Sequence, residues 1–391
     1  FVQMNSLIVF IYMMISFFKM SRHFSSSSSD DETRDYYRRL EEDRVTEFNV
    51  PEFEDEENTA QKPPLKILAE NIIENKDDEY LKILTNFNIE EFIEIYNVLK
   101  PVIELRTHKD AILSPKTKFL MTLIHLKHYE SWQLLASNFN INHSYAYETV
   151  HAIITKGWPV LKEKYIKWIS VSKRITNYNL RLKDFPLLIG SVDATVQRIS
   201  KPKQNQGDYY SGKHKCHVMK VQAFVSPLGL LIHFTKSVPG SIHDFRLFKE
   251  SDLVALINGE NEKCNKIFKE NCTTLGDSGY QGLSSVIPGG VTPVKKPKGR
   301  ELNEREIAKN KTISKRRIIV ENWFSRLKSL WGKMSLKMRN KKGTDVHEEY
   351  DMNWAFCASR TNYHISKHPL REKEPGVICE VFEEEDLFED E

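Results

Sequence analysis

One apolar run near the middle of the chain constrains the fold more than any other segment. Residues 187–193 read LLIGSVD, so the run contains Gly190 and ends in Asp193. A short, continuous apolar run is typical of a buried central strand. We therefore predict a strand that delivers the carboxylate of Asp193 to its C-terminal edge, where we expect it to bind a metal ion.

Residues 184–331 alternate between strand and helix patterns. HVMKVQAFVS (217–226) and LGLLIHFTKSV (228–238) predict a hairpin, because Pro227 and Gly229 lie between the two apolar runs. A loop and a helix starting near His243 follow, and TTLGD (273–277) predicts a fourth strand ending in Asp277. This order predicts an α/β, ribonuclease-H-like catalytic domain in which Asp193 and Asp277 lie at neighbouring strand ends.

A helical pattern at residues 316–328 supplies a third acid. Arg317, Glu321 and Lys328 fall within about 40° of one another on a helix that advances about 100° per residue. An adjacent apolar stripe is expected to dock the helix, and it consists of Val320, Phe324, Leu327 and Trp331. An ordinary amphipathic helix would show the same stripe, so that alternative stays open.

Residues 131–158 have the pattern of a helix-turn-helix. Leu134 to Ala136 fall in the first helix and residues 139–141 in the turn, and Ser144 is expected to cap the second helix. In such a unit the N-terminal residues of the second helix point toward base edges in the major groove. A plain helical bundle that braces the catalytic domain is the alternative.

Charge is distributed unevenly along the 391 residues. The formal net charge is +3, but residues 30–57 and 380–391 carry −9 and −8, which leaves about +20 on the remainder. A body that basic suits a polyanion such as DNA.

We predict four parts: a disordered Ser-rich and acidic segment (1–63), an all-α domain with the helix-turn-helix (64–165), the catalytic domain (166–345) and an extension with an acidic tail (346–391). In the helical part, Pro101 is expected to break one helix and Pro115 to open the next.

The N-terminal run and the cysteines bear on location. Residues 7–18 are apolar but too short to span a bilayer and lack a basic flank, so we expect no membrane association. The chain begins at Phe1, and Met4 or Met20 is the expected translation start. The five cysteines contain no C-x-x-C pair, which predicts neither a disulfide framework nor a zinc knuckle and favours a reducing compartment.

Several ordered motifs carry a resemblance to a known family. They are VDAT (192–195), YYSGKHKCHVMKVQ (209–222), PGSIHDFRLFKES (239–251), LGDSGYQG (275–282) and the R-x3-E-x6-K set of Arg317, Glu321 and Lys328. Over residues 131–331 the sequence resembles DDE transposases of the PIF/Harbinger group, which includes the vertebrate Harbinger-derived nuclease and related bacterial insertion-sequence enzymes. Two residues depart from the family pattern: Ala194 stands where many relatives have glycine, and Ser314 stands where bacterial relatives have tyrosine.

The resemblance implies a catalytic and metal-binding triad of Asp193, Asp277 and Glu321 with two Mg²⁺ or Mn²⁺ ions. Divalent cations held by carboxylates neutralise the charge that develops on the attacking and leaving oxygens of a phosphodiester. The resemblance also implies that the freed 3′-hydroxyl is joined to target DNA. Asp244 is the rival for the second carboxylate, but its place after a loop predicts that it caps the next helix at the rim of the site.

Double-stranded DNA, as transposon terminal repeats and target site, is the implied partner. The predicted contacts are Ser144, Tyr145 and Tyr147 in the helix-turn-helix and Lys213, His214, Lys215, Arg317 and Lys328 near the triad. A Myb-like accessory protein and a homo-oligomer remain open. The expected location is the nucleus in a eukaryote and otherwise the cytoplasm, and the basic residues 295–300 read as a nuclear localisation signal or a DNA-facing loop. The alternative function is a domesticated, catalytically idle DNA-binding protein, against which three intact acids argue.

Overall fold

The computed structural model of the chain describes residues 67–104, 111–178, 182–339 and 346–371. These residues fall in one compact unit within Pro64–Glu391. The apolar run at residues 7–18 and both acidic segments lie outside the described residues. None of the helices in the described ranges combines the length and the apolarity needed to cross a membrane.

The first described part of the chain is helical. It contains α1 (Ala69–Glu74), α2 (Asp78–Thr85), α3 (Ile89–Glu104), α4 (Pro115–His128), α5 (Trp132–Asn138), α6 (His143–Tyr165) and α7 (Val171–Tyr178). The prediction that Pro115 opens a helix is confirmed, and Ser114 caps that helix by accepting a hydrogen bond from the Thr117 amide. The prediction that Pro101 breaks a helix is wrong, because Pro101 lies inside α3. Leu99 and Ile103 on either side of it are buried, so packing holds this turn despite the missing amide donor.

The two helices α5 and α6 form the predicted helix-turn-helix pair, with residues 139–142 between them. The prediction that Ser144 caps α6 is wrong by two residues. Asn142 caps α6 by accepting a hydrogen bond from the Ser144 amide at 2.8 Å, whereas Ser144 itself lies in the first helical turn. Asparagine is as good a cap as serine, and its side chain reaches the second amide of the helix.

The strands and the intervening helices follow after residue 187. They are β1 (Leu188–Arg198), α8 (Gln206–Tyr209), β2 (Tyr210–Ser211), β3 (Cys216–Val225), β4 (Leu231–Phe234), β5 (Val238–Pro239), α9 (Asp244–Lys249), α10 (Leu253–Phe268), β6 (Thr273–Leu275), a 3₁₀ turn (Ser278–Tyr280), α11 (Leu283–Val286) and β7 (Gly290–Val291). The sheet has the order β2-β3-β1-β6-β7, with β4 and β5 also paired to β3. The β3–β4 pair is the predicted hairpin and is antiparallel, whereas β6 runs parallel to β1.

Strand β1 continues past the predicted end of its apolar run. Asp193 was expected at the C-terminal edge, but it lies in the middle of an eleven-residue strand. After Asp193 the strand no longer contacts the apolar core on both of its faces, so its sequence mixes polar and apolar residues. Gln197, for example, donates a hydrogen bond to the Leu336 carbonyl oxygen. The parallel neighbour β6 does stop early, so Asp193 still lies just beyond the last paired residues, Ser191 and Leu275.

Gly190 permits a close approach between β1 and β3. A Cβ atom added at Gly190 would lie 2.5 Å from the Val225 carbonyl oxygen, which is closer than any side-chain carbon can sit to a backbone atom. The core on this side of the sheet includes Val192, Phe224, Phe248, Leu253 and Tyr280. The sequence therefore combines an apolar strand with one residue that has no side chain at the point of contact.

Three helices complete the described fold: α12 (Glu304–Leu330), α13 (Gly332–Ser335) and α14 (Val346–Lys367). The predicted stripe on α12 is buried at Val320, Phe324 and Leu327, and Trp331, which directly follows the helix, is fully buried. The helix starts twelve residues before the predicted segment, with a capping box between Asn303 and Glu306.

Asn362 on α14 joins several of these elements in the core. Its amide nitrogen donates to the carbonyl oxygens of Leu231 at 2.7 Å and Tyr165 at 2.8 Å. Its amide oxygen accepts from the Leu231 amide at 2.9 Å and from the Trp323 indole at 3.0 Å. One buried side chain thus links the end of α6, strand β4 and helix α12.

The cysteine pattern gave no sign of a disulfide, and this prediction is wrong for one pair. Cys264 in the last turns of α10 and Cys272 just before β6 are bonded, with their Cα atoms 6.2 Å apart. The chain reverses direction between the end of α10 and β6, which brings together two cysteines that are eight residues apart. A spacing of eight residues forms no C-x-x-C pattern, so the sequence alone does not indicate this contact.

Candidate active site and nucleic-acid interface

The three predicted acids come from three elements that meet at one side of the sheet. Asp193 lies on β1, and Asp277 follows β6 by two residues, so continuing the parallel register from Ser191 and Leu275 brings the two aspartates side by side. Helix α12 packs on β1 and contributes Glu321. The Asp277 side chain caps the 3₁₀ turn by accepting a hydrogen bond from the Gly279 amide at 2.8 Å.

Arg317 binds two of these acids at once. Its Nη1 atom lies 3.3 Å from Asp193 Oδ2, and its Nη2 atom donates to Glu321 Oε1. Arg317 and Asp193 are about equally buried, with 18% and 19% of their side chains exposed, whereas Glu321 is 48% exposed. The predicted row of charges on α12 is therefore present, and its arginine points at the carboxylate of β1.

Burial raises the pKa of Asp193 to about 6. A hydrogen bond from the Ala194 amide and the charge of Arg317 act in the opposite direction, while the negative charges of Asp277 and Glu321 raise the pKa further. Burial thus disfavours the ionised carboxylate of Asp193 more than the ion pair with Arg317 favours it. The effect of these two charges on Asp193 also indicates that Asp277 and Glu321 lie close to it.

The donor set fits a hard divalent cation in its chemistry, because Mg²⁺ and Mn²⁺ prefer carboxylate oxygens. Within the described residues, however, no three His, Cys, Asp or Glu side chains are arranged so that they could hold a metal ion. The guanidinium of Arg317 lies between Asp193 and Glu321 and supplies the positive charge there. The oxygens that a cation would need are thus present but bound to an arginine.

The basic residues predicted to contact DNA form two groups. Lys213, His214 and Lys215 are exposed on the turn between β2 and β3. Desolvation lowers the pKa of His214, and the charges of Lys213, Lys328 and Lys220 lower it further. This turn therefore lies close to the C-terminal half of α12, where burial also lowers the pKa of Lys328.

The predicted residues of the helix-turn-helix lie on α6, apart from the carboxylates in sequence and in fold. Ser144 is exposed, while Tyr145 and Tyr147 are half-buried. The Tyr147 ring packs edge-on against Trp132 of α5, with centroids 5.2 Å apart, and stacks on His151 at 5.5 Å. Ser144 is the member of this set that offers its side chain most openly to a ligand.

Asp244 does not cap α9 as expected. His243 is the cap, and its Nδ1 atom accepts a hydrogen bond from the Phe245 amide at 3.3 Å. Asp244 is the first residue of the helix and forms an ion pair with Lys220 of β3, with Nζ and Oδ1 2.7 Å apart. A negative charge stabilises a helix N-terminus both at the cap and at the first helical residue. The sequence therefore did not distinguish between these two positions for Asp244.

Sequence reasoning missed the polar residues of β3 next to the site. Lys220 and Gln222 are both buried and contact Asp244 at the start of α9. The signal was present in HVMKVQAFV, where two polar residues occupy alternate positions of an otherwise apolar strand. Alternate positions share one face of a strand, so such a pair indicates a polar layer under the sheet.

The basic residues 295–300 are partly paired in the structure. Lys296 forms an ion pair with Glu301, and Arg300 pairs with Glu306, at 2.7 Å between Nη2 and Oε1. The first pair is exposed and the second is half-buried, and both hold the segment near the start of α12. Its role as a localisation signal remains a prediction.

Comparison with known families and proteins adds independent information. Residues 192–373 match the family described as DDE superfamily endonuclease, and residues 112–156 match the helix-turn-helix of DDE superfamily endonuclease. The second match includes α4 as well as α5 and the first half of α6. The chain is also 30% identical over 175 residues to a probable transposase for insertion sequence element IS702 from Microchaete diplosiphon.

That alignment covers 45% of this chain and 56% of the length of the Microchaete protein. No solved structure matches the chain significantly. The endonuclease match begins at Val192 and includes Asp193, Asp277 and Glu321, and the upstream match contains Ser144, Tyr145 and Tyr147. The chain therefore contains a segment similar to the helix-turn-helix of DDE superfamily endonucleases, followed by a segment similar to DDE superfamily endonucleases.

Proposed function

We propose that the chain is a DDE transposase that cleaves DNA phosphodiester bonds at transposon ends and joins the resulting 3′-hydroxyl to target DNA. The observation that carries the proposal is the meeting of Asp193, Asp277 and Glu321 at one side of the sheet inside a segment similar to DDE endonucleases. The sheet order, with β1 central and antiparallel to β3 and parallel to β6, supports the ribonuclease-H-like fold. The motifs around Asp193 and Asp277 support the PIF/Harbinger subtype.

Asp193, Asp277 and Glu321 would hold two Mg²⁺ or Mn²⁺ ions, which would lower the pKa of an attacking water and neutralise charge on the leaving oxygen. The chain's own residues prepare this site. Burial and the neighbouring acids leave Asp193 with a raised pKa, so the site favours added positive charge. Arg317 must release Asp193 or Glu321 for the cations to enter, and its guanidinium is then free to bind a DNA phosphate.

DNA binding is assigned to two surfaces in this proposal. The start of α6, with Ser144 and Tyr145, would contact the terminal repeat, and the turn with Lys213, His214 and Lys215 would follow the backbone beside Lys328. The basic balance of the chain between its acidic ends supports a polyanionic partner. A homo-oligomer, a Myb-like accessory protein and a nuclear or cytoplasmic location belong to the same proposal.

Nicking of supercoiled plasmid DNA tests the proposed function. The full chain is incubated with the plasmid in Mn²⁺, in Mg²⁺ and in EDTA, and compared with Asp193→Asn, Asp277→Asn and Glu321→Gln. We expect metal-dependent nicking by the wild type and a loss of at least about a hundredfold in each variant, because each substitution replaces a proposed carboxylate ligand with an uncharged amide. Glu304→Gln is the matched control, since Glu304 is an exposed acid on the same helix.

DNA binding in EDTA is measured in parallel by fluorescence anisotropy. The three acid variants should bind DNA at least as well as the wild type, because each substitution removes a negative charge that repels phosphates. Nicking that persists in one variant would remove that residue from the triad. Tight binding without cleavage by the wild type would instead favour the idle DNA-binding protein.

A further inference from the structure

A buried polar contact lies behind the two aspartates, on the opposite face of the sheet from Arg317. Side chains alternate between faces along a strand, so Ala194 and its direct partner Gln222 on β3 face away from Asp193. The Gln222 amide nitrogen donates to the Tyr280 hydroxyl at 2.8 Å and to the Asp244 carbonyl oxygen at 3.1 Å. Gln222 is 1% exposed and Tyr280 is fully buried.

Tyr280 is tied to Asp277 through the short 3₁₀ turn. The Tyr280 amide donates to the Asp277 carbonyl oxygen at 3.1 Å, and the Gly279 amide between them donates to the Asp277 side chain. The Tyr280 ring packs on Gly276, where an added Cβ atom would lie 2.8 Å from the Tyr280 Cβ atom, and edge-on against Phe248. Movement of the Tyr280 ring would therefore move the backbone that carries Asp277.

The hydrogen bond between Gln222 and Tyr280 crosses the strand that carries Asp193. The sheet order is β3-β1-β6, so a contact from β3 to the turn after β6 spans β1. The side chain of Ala194 points to the face where the bond passes. The bond thus connects the elements on both sides of Asp193.

The amide of Gln222 is itself held in place. Lys220, two residues earlier on the same face, forms its ion pair with Asp244 and donates to the Ile242 carbonyl oxygen. These contacts fix the first residues of α9 against β3, and with them the Asp244 carbonyl oxygen that accepts from Gln222. The amide therefore has two fixed acceptors and little freedom to rotate.

We propose that the hydrogen bond between Gln222 and Tyr280 sets the spacing between Asp193 and Asp277, and thereby the affinity of the carboxylates for a divalent cation. This inference rests on the proposed function. Neither side chain touches substrate, so both act as positioning residues. Partners that orient metal ligands from outside the coordination sphere typically change metal affinity by about ten- to a hundredfold when they are removed.

Calorimetric titration of the full chain with MnCl₂, without DNA, tests the inference. Tyr280→Phe removes the hydroxyl and keeps the ring, and Gln222→Leu removes the amide and keeps the side-chain bulk. We expect each variant to bind Mn²⁺ about tenfold more weakly with a thermal midpoint close to that of the wild type. The double variant should bind Mn²⁺ no more weakly than Gln222→Leu alone, because that substitution already removes the bond to Tyr280.

Tyr165→Phe is the matched control, since Tyr165 is another buried tyrosine but lies at the end of α6. An equal loss of Mn²⁺ affinity in this control would show general loosening of the core and overturn the positioning role. Mn²⁺ affinity of Tyr280→Phe equal to that of the wild type, with binding lost in Asp193→Asn, would overturn the inference alone. Absence of Mn²⁺ binding by the wild type would overturn the proposed function as well.

Discussion

Arg317 and Asp193 form an ion pair where helix α12 packs on strand β1, with Nη1 and Oδ2 3.3 Å apart. The same guanidinium donates to Glu321, one helical turn further along α12. One arginine thus neutralises two of the three acids through charge-assisted hydrogen bonds. In this arrangement the arginine competes with any cation for the same oxygens.

We predict that Arg317→Gln tightens Mn²⁺ binding to the DNA-free protein. The substitution removes the competing positive charge, and a partly buried ion pair of about 1 kcal/mol corresponds to about a fivefold gain in affinity. DNA nicking should slow down at the same time, because Arg317 is then no longer available to a phosphate. Weaker Mn²⁺ binding by this variant would mean that Arg317 orients the acids for the cation.

The raised pKa of Asp193 predicts how stability depends on pH in EDTA. Because its folded pKa of about 6 lies above the ordinary value, the folded state favours the protonated acid, and this stabilisation is lost as the pH rises through 6. Asp193→Asn cannot ionise, so it should be more stable than the wild type at pH 7.5 by about 1–3 kcal/mol. Urea unfolding at pH 7.5 and near pH 4 measures the difference, which should vanish at the lower pH. Asp208→Asn serves as the control, since Asp208 is exposed. An equal gain in the free energy of unfolding of Asp193→Asn at both pH values would contradict the raised pKa of Asp193.

Gly190→Ala tests the close approach of β1 to β3. The added carbon would lie 2.5 Å from a backbone oxygen that cannot rotate away, so one of the strands must shift. We expect a loss of about 1–3 kcal/mol or more in the free energy of unfolding. Gly259→Ala is the control, since nothing lies within 4 Å of a Cβ atom there and alanine is the better helix former. Equal stability of the two variants would mean that β1 and β3 can move apart at Gly190 without destabilising the fold.

Ser144→Glu tests the assignment of α6 to DNA. Removing the whole helical segment is a poor test, because Tyr165 at the end of α6 packs on Tyr363 in the core. A glutamate at position 144 suits the helix N-terminus and should not destabilise the fold, yet it would repel a phosphate. We expect DNA affinity to fall about three- to tenfold in anisotropy measurements, whereas Ser144→Lys should keep or raise it. Unchanged affinity in both variants would place the DNA elsewhere.

Sequence patterns predicted the elements in which the spacing of apolar residues reflects burial alone. The apolar runs of β1, β3 and β4 and the stripe of α12 report burial directly. The strand order then brings Asp193 next to Asp277. Patterns failed where a contact distant in sequence decides the outcome. Pro101 stays helical because its neighbours are packed, and Cys264 meets Cys272 because the chain turns back.

The same distinction applies to the candidate site. Asp193, Asp277 and Glu321 could be named from the sequence because two of them end apolar strand patterns and the third lies on a helix pattern. The contact of Arg317 with Asp193 depends on how α12 packs on β1, and the contact between Gln222 and Tyr280 depends on the register of β1 with β3. A single sequence specifies neither. Whether each named residue acts in catalysis remains a prediction.

The four hydrogen bonds of Asn362 have a thermodynamic consequence for the whole described unit. This buried side chain binds the end of α6, strand β4 and the indole of Trp323 on α12. The helical part therefore cannot unfold without leaving buried polar groups unpaired around the sheet. Scanning calorimetry should therefore record a single heat-absorption peak for both parts. Asn362→Leu, which satisfies none of these groups, should split or broaden that peak.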